Sequence, residues 1–343
     1  MRIVKAEVFY EAVPYIAAIR KYRPDEHTER PVPLVKLTTD DGLAGWGEGS
    51  RGQKVTDEAL RRWLGVDPLE VEWAATGVPF EPALFDLAGK LLGLPAHKLM
   101  GPKCRDTIPV GYWSCHMAPE DTAKEAAQAA RRGFRHHKLK ARPWDIVAQA
   151  RAIGEAAGPE YQITVDPNFA FETLEQSLRL ADELAPFPIA VFEDPFSWKP
   201  DFDGYPEFRR RSAIPLAPHM GRAEDVLRAV KAGAADHFNL DGCIARARHM
   251  AAVAEAAGLS VWLQTAGLAL GVRSAYGVHV AAVIPNASEH SDLHFVKEHD
   301  LLIDSPIEPR DGHITVPAGP GLGVQVDEEA LARYCVGTAS AVA

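Results

Sequence analysis

From about residue 108 onward the chain repeats one pattern eight times: a short apolar stretch closing on a polar residue, then an amphipathic stretch of helical period. The strand candidates are TIPVGYW, HHKLKA, YQITVDPN, IAVFEDPF, IPLAPHM, DHFNLDG, SVWLQTAG and ASEHSDLHF. Helical segments such as APEDTAKEAAQAARRG, TLEQSLRLADELAPF and AEDVLRAVKAGA separate them. Such alternation leaves few solutions. Consecutive strands must lie parallel with helical crossovers, and eight units close into a (β/α)8 barrel, here with an irregular last unit. The predicted fold class is α/β, a modified TIM barrel with a smaller α+β domain attached.

The smaller domain is read from the first hundred residues. IVKAEVFYEAV and VPLVKLTTDDGLAGWGEG alternate apolar and polar positions, and Asp41-Gly42 carries hairpin chemistry. The charged IRKYRPDEHTERP between them reads as a loop. Residues 56 to 100 read as helices, for example PALFDLAGKLLGLP, ended by Gly93 and Pro95. A length of 343 residues suits one large domain plus a smaller one. A net charge of -10 and a pI near 5.7 argue against nucleic acid as a partner, since phosphate binding wants a basic face. Cys104, Cys115, Cys243 and Cys335 form no C-x-x-C, so reduced thiols in a cytoplasmic protein are expected. MRIVKAEVFYEAVPY lacks the apolar core of a signal peptide, and no apolar run is long enough for a membrane span.

The polar residues that close the strands set the chemistry. Lys138/Lys140, Asp166, Glu193, His219, Asp241, Gln264 and Asp292 follow one another at steps of 28, 27, 26, 22, 23 and 28 residues from Lys138. Each step is about one βα unit, so each residue lands near the C-terminal end of its own strand. Those ends converge on one face of a barrel. Strand alternation points Lys138 and Lys140 the same way. Asp166 and Glu193 supply hard oxygen ligands suited to Mg²⁺ or Mn²⁺. His219, next in the arc, either completes that site or meets only water or substrate. A divalent ion facing a lysine is a device for removing a proton α to a carboxylate, with the lysine pKa lowered by burial and nearby cations. Asp241 reads either as an acid/base group or as a structural partner of Lys138 or Lys140. His136 and His137 lie on alternate faces of the same strand, one of them at the surface or in packing. Trp46 and Glu48 read as domain-interface residues. Glu289 and His290 are strand-end residues with no assigned role.

DGLAGWGEG, FDLAGKLLGLPAHKLMG, KLK, VDPN, FEDP and GHITVPAGPGLGVQVDEEAL occur in an order and spacing that resembles the mandelate racemase/muconate lactonizing enzyme branch of the enolase superfamily, along nearly the whole chain. KLK, VDPN, EDP and PLAPHM are most similar to glucarate dehydratase-like acid-sugar dehydratases. The resemblance implies an α+β capping domain over residues 1–107, a TIM-type barrel with the active site over 108–318, and a segment 319–343 returning to the cap. It implies Mg²⁺, or Mn²⁺ or another divalent ion in view of His219, held by Asp166, Glu193 and His219. Lys140 matches the base and Lys138 the lysine that meets the substrate carboxylate, a Lys-and-Mg²⁺ solution for α-proton removal. Asn168 matches either a substrate contact or a residue that supports the metal ligands from behind. Asp292 matches a position that orients the acid/base dyad or the substrate. Residues 19–30 match a substrate-closing loop whose Arg20, Arg23 and His27 either contact the substrate or belong to a solvated loop, with Arg51 a similar case. A small carboxylate substrate and a homo-oligomer are implied.

Three departures narrow the chemistry. The family places a carboxylate or asparagine where His219 stands. Asp241 fits the strand-six aspartate, but Gln264 replaces the strand-seven histidine and cannot exchange a proton. The usual glycine pair after strand six is replaced by DGCIARA. One acid/base arm is therefore missing, and two-base racemisation gives way to chemistry from the lysine face. The expected activity is a hydro-lyase that removes the α-proton of a small hydroxy-carboxylate and eliminates water. An epimerase, racemase or cycloisomerase using the same enolate is the runner-up. A catalytically impaired carboxylate-binding barrel is the third reading.

Overall fold

The structure, a computed structural model, describes residues 1–343 apart from Asp25, Gly242, residues 265–269, His294 and Ser305, and apart from the side chains of Glu26, His27, Asp241 and Leu293. Three strands open the chain: β1 (Ile3–Glu11), β2 (Val32–Thr39) and β3 (Ala44–Glu48). They pair antiparallel in that order. The β2–β3 hairpin turns where Asp41-Gly42 announces it, with Gly42 at φ +87°, a left-handed conformation that favours glycine. The inner face of this sheet, with Ile3, Ala6, Val8, Val35 and Leu37, packs on Phe80, Leu84 and Leu87 of the helix Phe80–Leu92. That helix lies so close that a Cβ at Gly45 or Gly47 would strike the carbonyls of Ala83 or Pro79. This is the packing reason for the small residues in AGWG. Gly93 ends the helix in the left-handed conformation, as its sequence suggests.

The barrel follows. Its staves are β4 (Thr107–Ser114), β5 (His136–Lys140), β6 (Gln162–Asp166), β7 (Ile189–Glu193), β8 (Leu216–Ala217) with β9 (His219–Met220), β10 (His237–Asp241), β11 (Ser260–Gln264) and β12 (Ser291–Leu293). β8 and β9 are one stave interrupted at Pro218, whose nitrogen has no hydrogen for the ladder. Neighbouring staves pair in parallel, and β12 pairs back onto β4 to close the ring. The eighth unit is irregular as expected: residues 295–312 hold no helix among the described residues, and β13 (His313–Thr315) then pairs antiparallel with β4.

The last strand escapes sequence reading. The tail reads as helical, and Glu328–Tyr334 is a helix, but CVGTASAV becomes β14 (Cys335–Val342) and pairs antiparallel with β1. Gly337, Ala339 and Ser340 have little strand preference of their own. The open edge of β1 recruits them. The cap is thus built from both ends of the chain.

Buried carboxylates tie cap to barrel. Glu48, at the end of β3, accepts the backbone N–H groups of Leu270 (2.6 Å) and Arg273 (2.7 Å) at the start of the helix Gly271–Ala282. Glu81 accepts the N–H of Ile244, at the start of the helix Ile244–Ala256, at 2.9 Å, while Asp86 accepts those of Trp46 and Leu322, both at 2.9 Å, within the cap itself. Helix N-termini present N–H groups that lack intrahelical partners, and a carboxylate satisfies both their hydrogen bonds and their partial positive charge. Glu48 therefore acts as an interface residue. Cys104, Cys115, Cys243 and Cys335 are thiols rather than disulfides, and no described helix is long and apolar enough to cross a membrane.

Candidate active site

Lys140, Asp166, Glu193, Asp241 and Gln264 each close a stave, Asp292 lies within β12, and His219 opens β9. At their centre is Lys138, only 2% exposed. Its Nζ lies 2.7 Å from Glu193 Oε2, 2.5 Å from Asp292 Oδ2 and 3.3 Å from Asp166 Oδ2. Lys140 Nζ donates to Asp166 Oδ2 at 2.5 Å. The other oxygen of Asp166 accepts the backbone N–H of Asn168 at 3.1 Å. Asn168 stands at φ 47° and turns the chain away from the strand end. Gln264 Oε1 accepts from Asn239 Nδ2 at 2.7 Å and lies 3.5 Å from Lys138 Nζ. The side chain of Asp241 lies outside the described residues.

Two members of this cluster are missed by sequence reasoning. Asn239, fully buried, donates from Nδ2 to Glu193 Oε1 at 3.0 Å as well as to Gln264. It stands two residues before Asp241, so strand alternation was the signal that it shares that face. Asp194 follows Glu193 directly, and alternation would turn it outward. Instead its φ of 45° breaks the strand, and its Oδ1 accepts the backbone N–H of His219 at 3.1 Å. Ligand atoms of Glu193, Asp194 and His219 all lie within 4.8 Å of one another.

The electrostatics are those of a cation site. Burial pushes the Asp166 carboxyl up, but Lys140 and Lys138 outweigh it and hold it below the usual carboxylate range. Burial, with Asp166 and Asp292 nearby, pushes Glu193 up to about 8. Burial and Asp166 push Asp194 up to about 7. For Lys138, burial pulls downward, but Asp292, Glu193 and Asp166 overcome it and hold the ammonium well above its ordinary value. At Lys138 the carboxylates, not burial, win. Asp166, Glu193, Asp194 and Asp292 make four buried acids against two lysines, an excess of two negative charges (4 − 2) when all are ionised. Concentrated oxygen donors, an imidazole and a charge deficit of that size fit a divalent cation.

The remaining candidates lie elsewhere. Arg20 pairs with Glu298 at 2.7 Å, Arg23 lies over the Trp113 ring at 5.6 Å, and Arg51 donates to the Tyr15 hydroxyl at 3.2 Å. The side chain of His27 lies outside the described residues. The loop that carries Arg20 is seated on the barrel: Tyr22 donates to Asp121 at 2.9 Å and accepts the N–H of Ala118 at 3.0 Å. His136 and His137 open β5, at the end of the barrel opposite Lys140, and neither is at the surface, with exposures of 3% and 0%. His136 stacks on His290 with ring centroids 4.2 Å apart, and His137 Nε2 lies 2.7 Å from Ser114 Oγ. Burial holds both imidazoles below their usual range, so they are neutral packing groups.

Comparison with known proteins identifies the family. The family described as Enolase C-terminal domain-like matches residues 121–330. An N-succinyl-L-Arg/Lys racemase from Bacillus cereus is 27% identical over 90% of this chain and 92% of its own length. A probable glucarate dehydratase from Streptomyces coelicolor is 31% identical over 74% of this chain and 64% of its own length. The crystal structure of a muconate cycloisomerase from Pseudomonas fluorescens shares the fold at a TM-score of 0.80, with 24% identity over 98% of this chain and 99% of that one. The chain belongs to the mandelate racemase/muconate lactonizing enzyme branch of the enolase superfamily, an enzyme superfamily whose racemases, cycloisomerases and dehydratases share an enolate mechanism.

Proposed function

We propose that the chain is a divalent-metal-dependent hydro-lyase that dehydrates a small hydroxy-carboxylate of the acid-sugar type. The observation that carries this reading is the asymmetry of the site. Two lysines on β5 face the carboxylates, while Gln264 ends β11 with an amide that neither gives nor takes a proton. Asp166, Glu193 and His219 would hold Mg²⁺ or Mn²⁺, with the Asp194 carboxylate beside them. The ion, when bound, would supply positive charge against the charge that develops on the substrate carboxylate.

The rest falls to the side chains. Lys138 meets the substrate carboxylate. A cation held by Asp166 and Glu193 would disfavour a second positive charge beside it, so metal binding and lysine basicity are linked. Lys140, as the free amine, takes the α-proton. The C–H bond breaks, its electron pair enters the enediolate, and the proton rests on Nζ. The enediolate then re-forms a carbon–carbon double bond toward the β-carbon and expels the β-hydroxyl. The Lys140 ammonium returns its proton to that oxygen, so water leaves. The enol that remains tautomerises to a 2-keto acid. Asn168 and Asp292 border the substrate.

An epimerase or cycloisomerase reading starts from the same enolate and draws equal support from the racemase and cycloisomerase relatives. Lys140→Ala separates the enzymatic readings from an inert barrel. Mn²⁺ binding should persist while α-proton exchange into D₂O falls at least about 100-fold, the usual contribution of a positioned base. Unchanged exchange removes Lys140 from the role of base.

A further inference from the structure

The amide of Gln264 is held from one side only. Both groups at its Oε1, Asn239 Nδ2 at 2.7 Å and Lys138 Nζ at 3.5 Å, are hydrogen-bond donors. Turning the amide over would set its NH₂ against an ammonium and another NH₂, so the oxygen and nitrogen are not interchangeable here. Asn239 is fixed in the same way, because its Nδ2 also donates to Glu193 Oε1 at 3.0 Å. Asn239 Oδ1 is left buried without a hydrogen-bond partner. Such a cost is tolerated mainly where an arrangement serves function. Gln264 Nε2, with two N–H donors, is left on the far side. It bonds to no described residue, on a half-buried side chain at the C-terminal end of β11.

We propose that Asn239 is a positioning residue that makes Gln264 a fixed hydrogen-bond donor, so that its NH₂ receives an anionic oxygen of the substrate. The inference rests on the metal-dependent, carboxylate-directed reading above and narrows it. The substrate carries a second carboxylate beyond the one met by Lys138. The amide that took the place of an acid/base group thereby becomes a specificity contact.

The probe is tartronate, an α-hydroxy dicarboxylate, titrated calorimetrically into protein saturated with Mn²⁺. Saturation matters because Asn239 also supports Glu193, and removing such support weakens metal affinity by itself. Wild type, Asn239→Leu, Gln264→Met and the double variant complete a cycle. Each single change should weaken tartronate about tenfold, the scale of one hydrogen bond to a charged group. The double variant should be no weaker than either single one, because Asn239 acts through Gln264. A roughly hundredfold loss in the double variant, or no loss in Gln264→Met, overturns the inference. Mn²⁺ binding, read separately by electron paramagnetic resonance, tells the two failures apart. A wild-type protein that binds no Mn²⁺, or binds Mn²⁺ but no tartronate, overturns the parent reading and the inference with it. Binding of both with an additive cycle overturns the inference alone. If Asn239→Leu shows no folding transition, Asn239→Ser takes its place in the cycle with the same criteria.

Discussion

Lys138→Met is the perturbation whose consequences the site fixes most tightly. The change deletes a buried ammonium lying within 3.3 Å of Asp166, Glu193 and Asp292 and leaves those carboxylates without it. Removing one partner from a buried ionic cluster costs about 3–5 kcal/mol. An unfolding entropy of about 2.1 cal/mol/K per residue, over 343 residues, gives about 0.7 kcal/mol per kelvin. A loss of about 4 kcal/mol therefore lowers Tm by about 6 °C. The loss should depend on pH with a definite sign. Glu193 is pushed up to about 8 even with the lysine present, and without it the carboxyls rise further. A carboxyl that titrates higher in the folded than in the unfolded state, where glutamate titrates near about 4.3, binds more protons when folded. Its stabilising effect is full below that unfolded value and is lost as pH rises through the folded one. The deficit of the variant should thus be small at pH 5 and larger at pH 9. A divalent ion should raise the Tm of the variant more than that of wild type, since one competing cation is gone. Free ion at 100 times its Kd is worth about 2.7 kcal/mol, or about 4 °C here. Thermal melts at both pH values, with and without Mg²⁺, read all of this. A deficit equal at pH 5 and pH 9, or no deficit at all, would refute the charge reasoning.

Two further outcomes follow from other parts of the structure. His219→Asn should retain Mg²⁺ binding but lose much of any preference for Mn²⁺ or Zn²⁺, because imidazole is what favours the later ions; competition titrations of the three ions read the ratio, and an unchanged ratio removes His219 from the ligand set. Glu48→Gln replaces one of two oxygens that each accept a backbone N–H, so an NH₂ must face Leu270 or Arg273. The expected loss is about 2–3 kcal/mol, or about 4 °C in calorimetry, and a variant as stable as wild type would contradict the capping role.

The barrel was legible because one βα unit recurs about every 26 residues, and because each strand closes on a polar residue such as Asp166 or Glu193. Period alone then brings those residues to one rim. What period cannot carry is what the chain does after a strand stops. Asp194 enters the site through a left-handed φ, against the alternation that should turn it outward. β14 forms because β1 offers an edge, a fact absent from the local sequence CVGTASAV. The raised Lys138 pKa is invisible in the sequence for a similar reason. Burial and a neighbouring lysine are visible in KLK, but the three acids that outvote them come from β6, β7 and β12. Asn239 was within reach of sequence reasoning, two residues before Asp241 on the same face. It went unnoticed because a single asparagine in a strand carries no chemistry until Glu193 and Gln264 are beside it.

The central claim is that Lys140 removes a proton α to a carboxylate beside a divalent ion. The most direct test incubates the protein with Mg²⁺ or Mn²⁺ and a panel of acid sugars and amino-acid derivatives in D₂O, following the α-proton by NMR. The account expects the α-proton signal of an acid sugar to disappear as a 2-keto acid grows in. Full retention of the α-proton across the panel, by a protein that binds no divalent ion, would contradict it.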